Sequence, residues 1–241
     1  MTLSRPRRCS PFAPGGKQEF WQTGQRCSAD HPLASVYPPN VWPDEMQPSF
    51  RPAVDGMYSS LEALAMQLLG CASEYLGQRT DWLPSMAQDG NTILRVLHYP
   101  PCKDAPAGAV RSAEHEDINL MTMLVSGTAD GLQVKDHDGQ WISVPGNKEQ
   151  IIVDAGDMLQ NVTNGLFKAT THRVINPAAG DADNSRYSMP LFAHPRPEVD
   201  LTPLPALVER TGGVAKYPSI TAGEFLHKRL VEIGLIPADD K

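Results

Sequence analysis

The chain has 241 residues, of which 41% are hydrophobic and 20% charged, with a net charge of −7 at pH 7. That length can bury one large core, and the composition is that of an ordinary globular protein. The acidic balance argues against nucleic acid or an anionic membrane as the main partner, and no apolar run nears the ~20 residues that span a bilayer.

Residues 1–56 are rich in proline, and "YPPNVWP" and "MQPSFRP" read as extended loop. A short helix is expected around "KQEFWQTG", residues 17–24. Apolar residues then recur at Met57, Leu61, Leu64, Leu68, Tyr75 and Leu76. That is helical spacing, with Asp55 as the expected N-cap and an end near Gly77. Next the period falls to two. "TILRVLHY", residues 92–99, reads as a strand that stops at Pro100 and Pro101. Further strands are expected at "INLMTMLV", "GLQVKD", "QWISV", "QIIVDA", "DMLQNVT", "THRVIN" and "RYSMPLFA". Turn residues separate them at "HDGQ", "AGD" and "TNG". Such a series suggests a sandwich, jelly roll or barrel. The end, "TAGEFLHKRLVEIGL", reads as a helix with a Thr221–Glu224 capping box. Cys9, Cys27, Cys71 and Cys102 are scattered, with no C-x-x-C. They read as reduced thiols of a cytoplasmic protein, not a disulfide framework or zinc site. No apolar segment typical of a secretory signal follows the start.

The stretch "SAEHEDINLM", residues 112–121, poses a choice between acids. If residues 115–125 enter a strand, His115 and Asp117 share a face and Glu116 points away to solvent. H-x-D alone is a weak signal. His172, 57 residues on in "THRVIN", supplies a third candidate ligand. Two histidines and a carboxylate suit Fe(II) with open positions, and zinc can take the same set. Arg186 and Ser188 share a parity in "RYSMP" and could grip a carboxylate, with Tyr99 adding a phenol. His98 reads as packing or pocket lining, and Trp141, Met121, Met123 and Met158 as core. Gly156 and Gly165 read as turn residues.

Five stretches, "HEDINLMTML", "GLQVKDHDGQWISV", "DAGDMLQNVTNG", "THRVINP" and "RYSMPLF", occur in this order. Together they resemble the isopenicillin N synthase-like group of Fe(II)/2-oxoglutarate-dependent oxygenases, particularly its bacterial members. The resemblance runs from about Lys17 to Pro237 and is strongest over residues 92–195. It implies a mostly β fold with flanking helices, a double-stranded β-helix or distorted jelly roll. It implies a single oxygenase domain over residues 17–241, after a start at residues 1–16 that reads as disordered or atypical. It makes His115, Asp117 and His172 the iron ligands. Arg186, Ser188 and Tyr99 would hold 2-oxoglutarate. O₂ is the oxidant, ascorbate a possible reductant, and the partner a small-molecule substrate released oxidised beside succinate and CO₂.

Three departures from the family pattern stand out. Leu97 replaces an asparagine that plant-like members carry. The stretch from His172 to Arg186 is longer than in many relatives, which predicts a longer hairpin loop. The usual N-terminal segment of several tens of residues is expected to be lacking, which predicts an exposed sheet edge and an open pocket. The motifs also fit an oxidase that does not consume 2-oxoglutarate, an ethylene/succinate-forming enzyme, or a catalytically silent jelly-roll binding protein.

Overall fold

A computed structural model describes residues 18–43, 48–102, 109–125, 127–147, 149–176 and 184–237. Residues 1–16 and the loop expected after His172 fall wholly or largely outside these ranges.

Two antiparallel sheets face each other in a jelly roll braced by helices. The larger has the order β1 (Glu19–Thr23), β2 (Ile93–Tyr99), β9 (Arg186–Ala193), β4 (Met121–Val125) and β7 (Ile151–Ala155). The smaller runs β3 (Ser112–His115), β8 (His172–Val174), β5 (Leu132–Lys135) and β6 (Trp141–Ser143). Period-two alternation gives each sheet an inner and an outer face. On the large sheet Leu94, Met123 and Leu191 point outward and are fully buried.

Helix α1 (Phe50–Tyr75) covers that outer face. Its buried residues Val54, Tyr58, Leu61, Ala65, Leu69 and Ala72 fall three or four apart, one stripe of the helix. It starts five residues before the expected Asp55 cap. Pro52 lies in its first turn, where a missing N–H costs nothing because that donor has no helical partner. Asp55 instead pairs with Arg51 at 3.5 Å, one turn back. The end is where it was expected. Gly77 has φ +76°, its N–H donates to the Glu74 carbonyl, and that of Gln78 donates to the Ser73 carbonyl, a Schellman closure.

Two expected elements change type. The helix expected at residues 17–24 is instead strand β1, paired residue for residue with β2 from Glu19↔His98 to Thr23↔Leu94. The strand expected at "DMLQNVT" is helix α3 (Asp157–Val162). It buries Met158, Leu159 and Val162 on one side, and Asn164 (φ +51°) and Gly165 (φ +80°) turn the chain away. Short helices α2 (Trp82–Ala87) and α4 (Pro205–Arg210) were not foreseen. Helix α5 (Ala222–Glu232) carries the expected capping box on Thr221 and Glu224.

Trp141 is not core. It lies partly open on β6, with the Arg173 guanidinium 4.0 Å and the Lys135 ammonium 5.3 Å from its ring. Met121, Met123 and Met158 are core as expected. Cys27, Cys71 and Cys102 carry free thiols. At the edge strand β7, Ile151 and Val153 are exposed on the outer face. No described helix is long and apolar enough to cross a membrane.

Candidate metal and cosubstrate site

The two sheets bring different chemistries to one cavity. The small sheet supplies imidazoles: His115 on β3 pairs directly across from His172 on β8. Their rings sit 4.3 Å apart. Each Nδ1 donates to a backbone carbonyl, of Ala113 at 2.8 Å and Thr170 at 2.9 Å. That fixes the tautomer and turns both Nε2 lone pairs inward. Burial, then the neighbouring His172, pushes the His115 pKa down, which keeps it neutral and able to ligate.

Asp117 stands just past β3, and one of its oxygens, Oδ1, lies 3.9 Å from each Nε2. The other oxygen accepts the Thr122 hydroxyl at 2.5 Å. Asn119, fully buried, donates to the Thr122 hydroxyl oxygen at 2.9 Å and fixes that contact in turn. Gly156 passes close by. A Cβ there would lie 2.2 Å from the Asn119 carbonyl oxygen, so close approach demands the glycine, beyond the turn role expected of it. The ligand atoms of His115, Asp117 and His172 all lie within 4.8 Å of one another, and this set could hold a metal ion.

Strand parity pointed Glu116 to solvent, but it is half-buried. Its Oε1 accepts the Thr171 hydroxyl at 2.8 Å, next to His172. It also faces Asp157, whose pKa is pushed up to about 6, by burial first and with Glu116 contributing, against the pull of Arg229. Arg229 of α5 reaches Asp157 at 3.1 Å. Glu116→Ala is therefore expected to cost about 1 kcal/mol of stability, one hydrogen bond's worth. Fe(II) binding, read by equilibrium dialysis, should survive it and be lost in Asp117→Ala. The reverse ranking would make Glu116 the ligand.

The large sheet supplies the other group. Tyr99 pairs with Arg186, and Leu97 with Ser188, on the inner face of β2 and β9. Arg186 is 2% exposed. Its Nε donates to the Ala129 carbonyl at 3.1 Å and its Nη1 to the Ser188 hydroxyl at 3.1 Å. Its guanidinium lies 5.2 Å from the Tyr99 ring centre. Gly127 packs on it so closely that a Cβ would come 2.5 Å from Nη2. Among the described residues no carboxylate pairs with it. A buried charge without an ion-pair partner is costly, so this one could receive an anion from outside.

Three comparisons place this arrangement. The 2OG-Fe(II) oxygenase superfamily profile matches residues 90–195. A 2OG-Fe(II) oxygenase family protein of Caulobacter crescentus has a solved structure that superposes with TM-score 0.83 at 35% identity, covering 94% of this chain and 74% of that one. The chain belongs to the 2OG-Fe(II) oxygenase superfamily. A full-length Neurospora crassa protein, solved in complex with alpha-KG and 5-formyluracil, superposes with TM-score 0.79 at 28% identity, covering 91% and 70%. The 2-oxoglutarate-dependent dioxygenase htyE of Aspergillus rugulosus is 33% identical over 220 residues, 86% of this chain and 65% of the relative. A gibberellin 2-beta-dioxygenase of Phaseolus coccineus is 33% identical over 73% of this chain and 53% of its own length. The chain thus spans between half and two thirds of these curated relatives.

This member of the superfamily carries further buried polar groups that local sequence did not reveal. Asp154, on the inner face of β7, has its pKa pushed up to about 7, by burial and then by Asp117, and sits 4.0 Å from His172 Nδ1. Arg111 is buried four residues before His115, with Nη2 on the Asn184 carbonyl at 2.7 Å and Nε and Nη1 unpartnered. His98 is neither ligand nor pocket lining. It stacks on Tyr187 at 4.7 Å on the outer face, between Glu19 and Ser185.

His194 is buried without a partner at Nδ1, and burial pulls its pKa down to about 4. Its folded pKa lies below the unfolded value near 6.5, so the unfolded chain takes up the proton first. Stability is intact above about pH 6.5 and falls as pH drops through that window to 4, by on the order of 3 kcal/mol at full protonation. Urea titrations should give a flatter acid limb for His194→Gln than for the parent. Identical limbs would contradict this.

Proposed function

We propose that this chain is an isopenicillin N synthase-like, non-haem Fe(II) oxygenase that hydroxylates a small molecule while converting 2-oxoglutarate to succinate and CO₂. On this reading residues 17–241 form one oxygenase domain that works in the cytoplasm. The observation that carries the reading is Arg186, a buried guanidinium on the inner face of the large sheet with no carboxylate ion-pair partner among the described residues, in a fold where three ligand atoms also converge.

His115, Asp117 and His172 would hold Fe(II), and the donor set fits: two imidazoles and one carboxylate oxygen leave coordination positions open. Bound iron would supply O₂ activation and the oxidising step. The chain's own residues do the rest. The Ala113 and Thr170 carbonyls and the Thr122 hydroxyl hold the ligands in position. Arg186, Ser188 and Tyr99 would grip the distal carboxylate of 2-oxoglutarate, so that its keto acid end reaches the metal. The Neurospora crassa relative, solved with alpha-KG and 5-formyluracil, supports a cosubstrate and a small substrate side by side in such a fold.

The test is succinate formation by the full chain with Fe(II), 2-oxoglutarate and O₂. Slow release without substrate, stimulated by one member of a substrate panel, is expected. Stable iron-loaded protein that releases none under any condition would favour the silent binding protein.

A further inference from the structure

We propose that Arg95 receives a carboxylate of the primary substrate, so that the site takes a small organic acid. This rests on the oxygenase reading and deepens it.

Arg95 lies on β2 with the parity of Leu97 and Tyr99, and so faces inward. Its guanidinium is sandwiched, 4.8 Å from the Phe20 ring centre and 5.2 Å from that of Phe192. Nε and Nη2 both donate to Oε1 of Gln22, at 3.1 and 2.9 Å. Gln22 is neutral, so it orients the fork without cancelling its charge. Nη1 has no hydrogen-bond partner among the described residues, and no carboxylate there is in ion-pair contact. Part of the residue stays open, so a ligand can reach it. The Nη1–Nη2 edge is thus free for a bidentate carboxylate.

The guanidinium lies within reach of the metal cluster. Phe192 pairs across from Thr122, whose hydroxyl holds Asp117. Asp117 and the Tyr99 phenol both act on Arg95 electrostatically. Arg186 pairs with Tyr99, four residues along β2 from Arg95, or about 13 Å of strand. Arg95 and Arg186 are therefore suited to different carboxylates.

Charge balance agrees. With Asp154 protonated, as burial favours, a divalent metal, the Asp117 carboxylate and the Arg186 guanidinium together offset the double negative charge of 2-oxoglutarate. Arg95 stands outside that sum, and burial already disfavours its charged form. Arg111 is also outside it and acts on Tyr99 and Arg186, whereas Arg95 acts on Tyr99 and is in turn acted on by Asp117. An anion bound beside the metal would neutralise Arg95. Its flanking phenyl rings would face the apolar body of the same molecule.

The experiment uses the full chain with Fe(II) and 2-oxoglutarate under anaerobic conditions. Calorimetry measures binding of benzoate, hexanoate and 3-phenylpropanoate, each against its primary amide. At least one acid should bind about tenfold tighter than its amide, the scale of a charge-assisted hydrogen bond. Arg95→Gln should abolish that preference and Arg95→Lys should keep part of it. The lysine variant retains the charge and serves if the glutamine variant fails to fold. The 2-oxoglutarate affinity of each variant is measured in parallel. Three results would overturn the assignment: no acid preferred over its amide, an equal preference in Arg95→Gln, or a tenfold loss of 2-oxoglutarate affinity in that variant. The last would put Arg95 on the cosubstrate. Parent protein that binds no 2-oxoglutarate sinks the oxygenase reading as well, whereas intact 2-oxoglutarate binding without acid preference sinks this assignment alone.

Discussion

Arg186→Lys is expected to weaken 2-oxoglutarate binding by roughly ten- to a hundredfold. Lysine keeps the charge but not the planar fork, and a charge-assisted hydrogen bond is worth about 1.5–3 kcal/mol. The site cannot adjust easily, because Gly127, the Ala129 carbonyl and the Ser188 hydroxyl are all fitted to a guanidinium. An ammonium would leave the Ser188 hydroxyl and the Ala129 carbonyl without their present donor. Titration of 2-oxoglutarate into the variant should show the loss directly, with metal binding unchanged. Parent-like affinity would move the cosubstrate elsewhere and revive the oxidase alternative.

His172→Ala and Asp117→Ala should each abolish tight Fe(II) binding. Removing a partner that merely holds a ligand typically costs about ten- to a hundredfold in metal affinity. Thr122→Val, which strips the hydroxyl from Asp117, should fall in that range. Loss of a ligand atom should exceed it, because no fourth group in the described cluster replaces it. Equilibrium dialysis with Fe(II) under argon ranks the variants. Tight binding in His172→Ala would break the assignment of the triad.

The convergence of His115, Asp117 and His172 was legible because its evidence is short-range or spaced in a recognisable way. His115 and Asp117 are two residues apart, and His172 sits in a clear strand. Strand parity selects Asp117 for only part of the right reason, since Asp117 lies just after β3 and is aimed by Thr122. Glu116 was misjudged because its partners, Thr171 and Asp157, arrive from distant segments. Strand β1 was misread because its partner is more than seventy residues away, and an edge strand of mixed polarity shows little local pattern. Helix α3 was misread because six residues cannot distinguish a short apolar strand from one helical turn. Arg95 looked like any polar residue in a strand. What sets it apart, two flanking rings and a missing counter-ion, exists only after β1, β2 and β9 have paired.

The central claim is that the small sheet holds iron and the large sheet holds 2-oxoglutarate in one cavity. Anaerobic visible spectroscopy of the full chain tests it, by following the metal-to-ligand absorption band as 2-oxoglutarate is added to Fe(II)-loaded protein. The account predicts a saturable band that requires both components, disappears in His172→Ala and needs far more 2-oxoglutarate in Arg186→Lys. A parent protein that binds Fe(II) and 2-oxoglutarate without developing the band, or an Arg186→Lys variant that titrates like the parent, would contradict it.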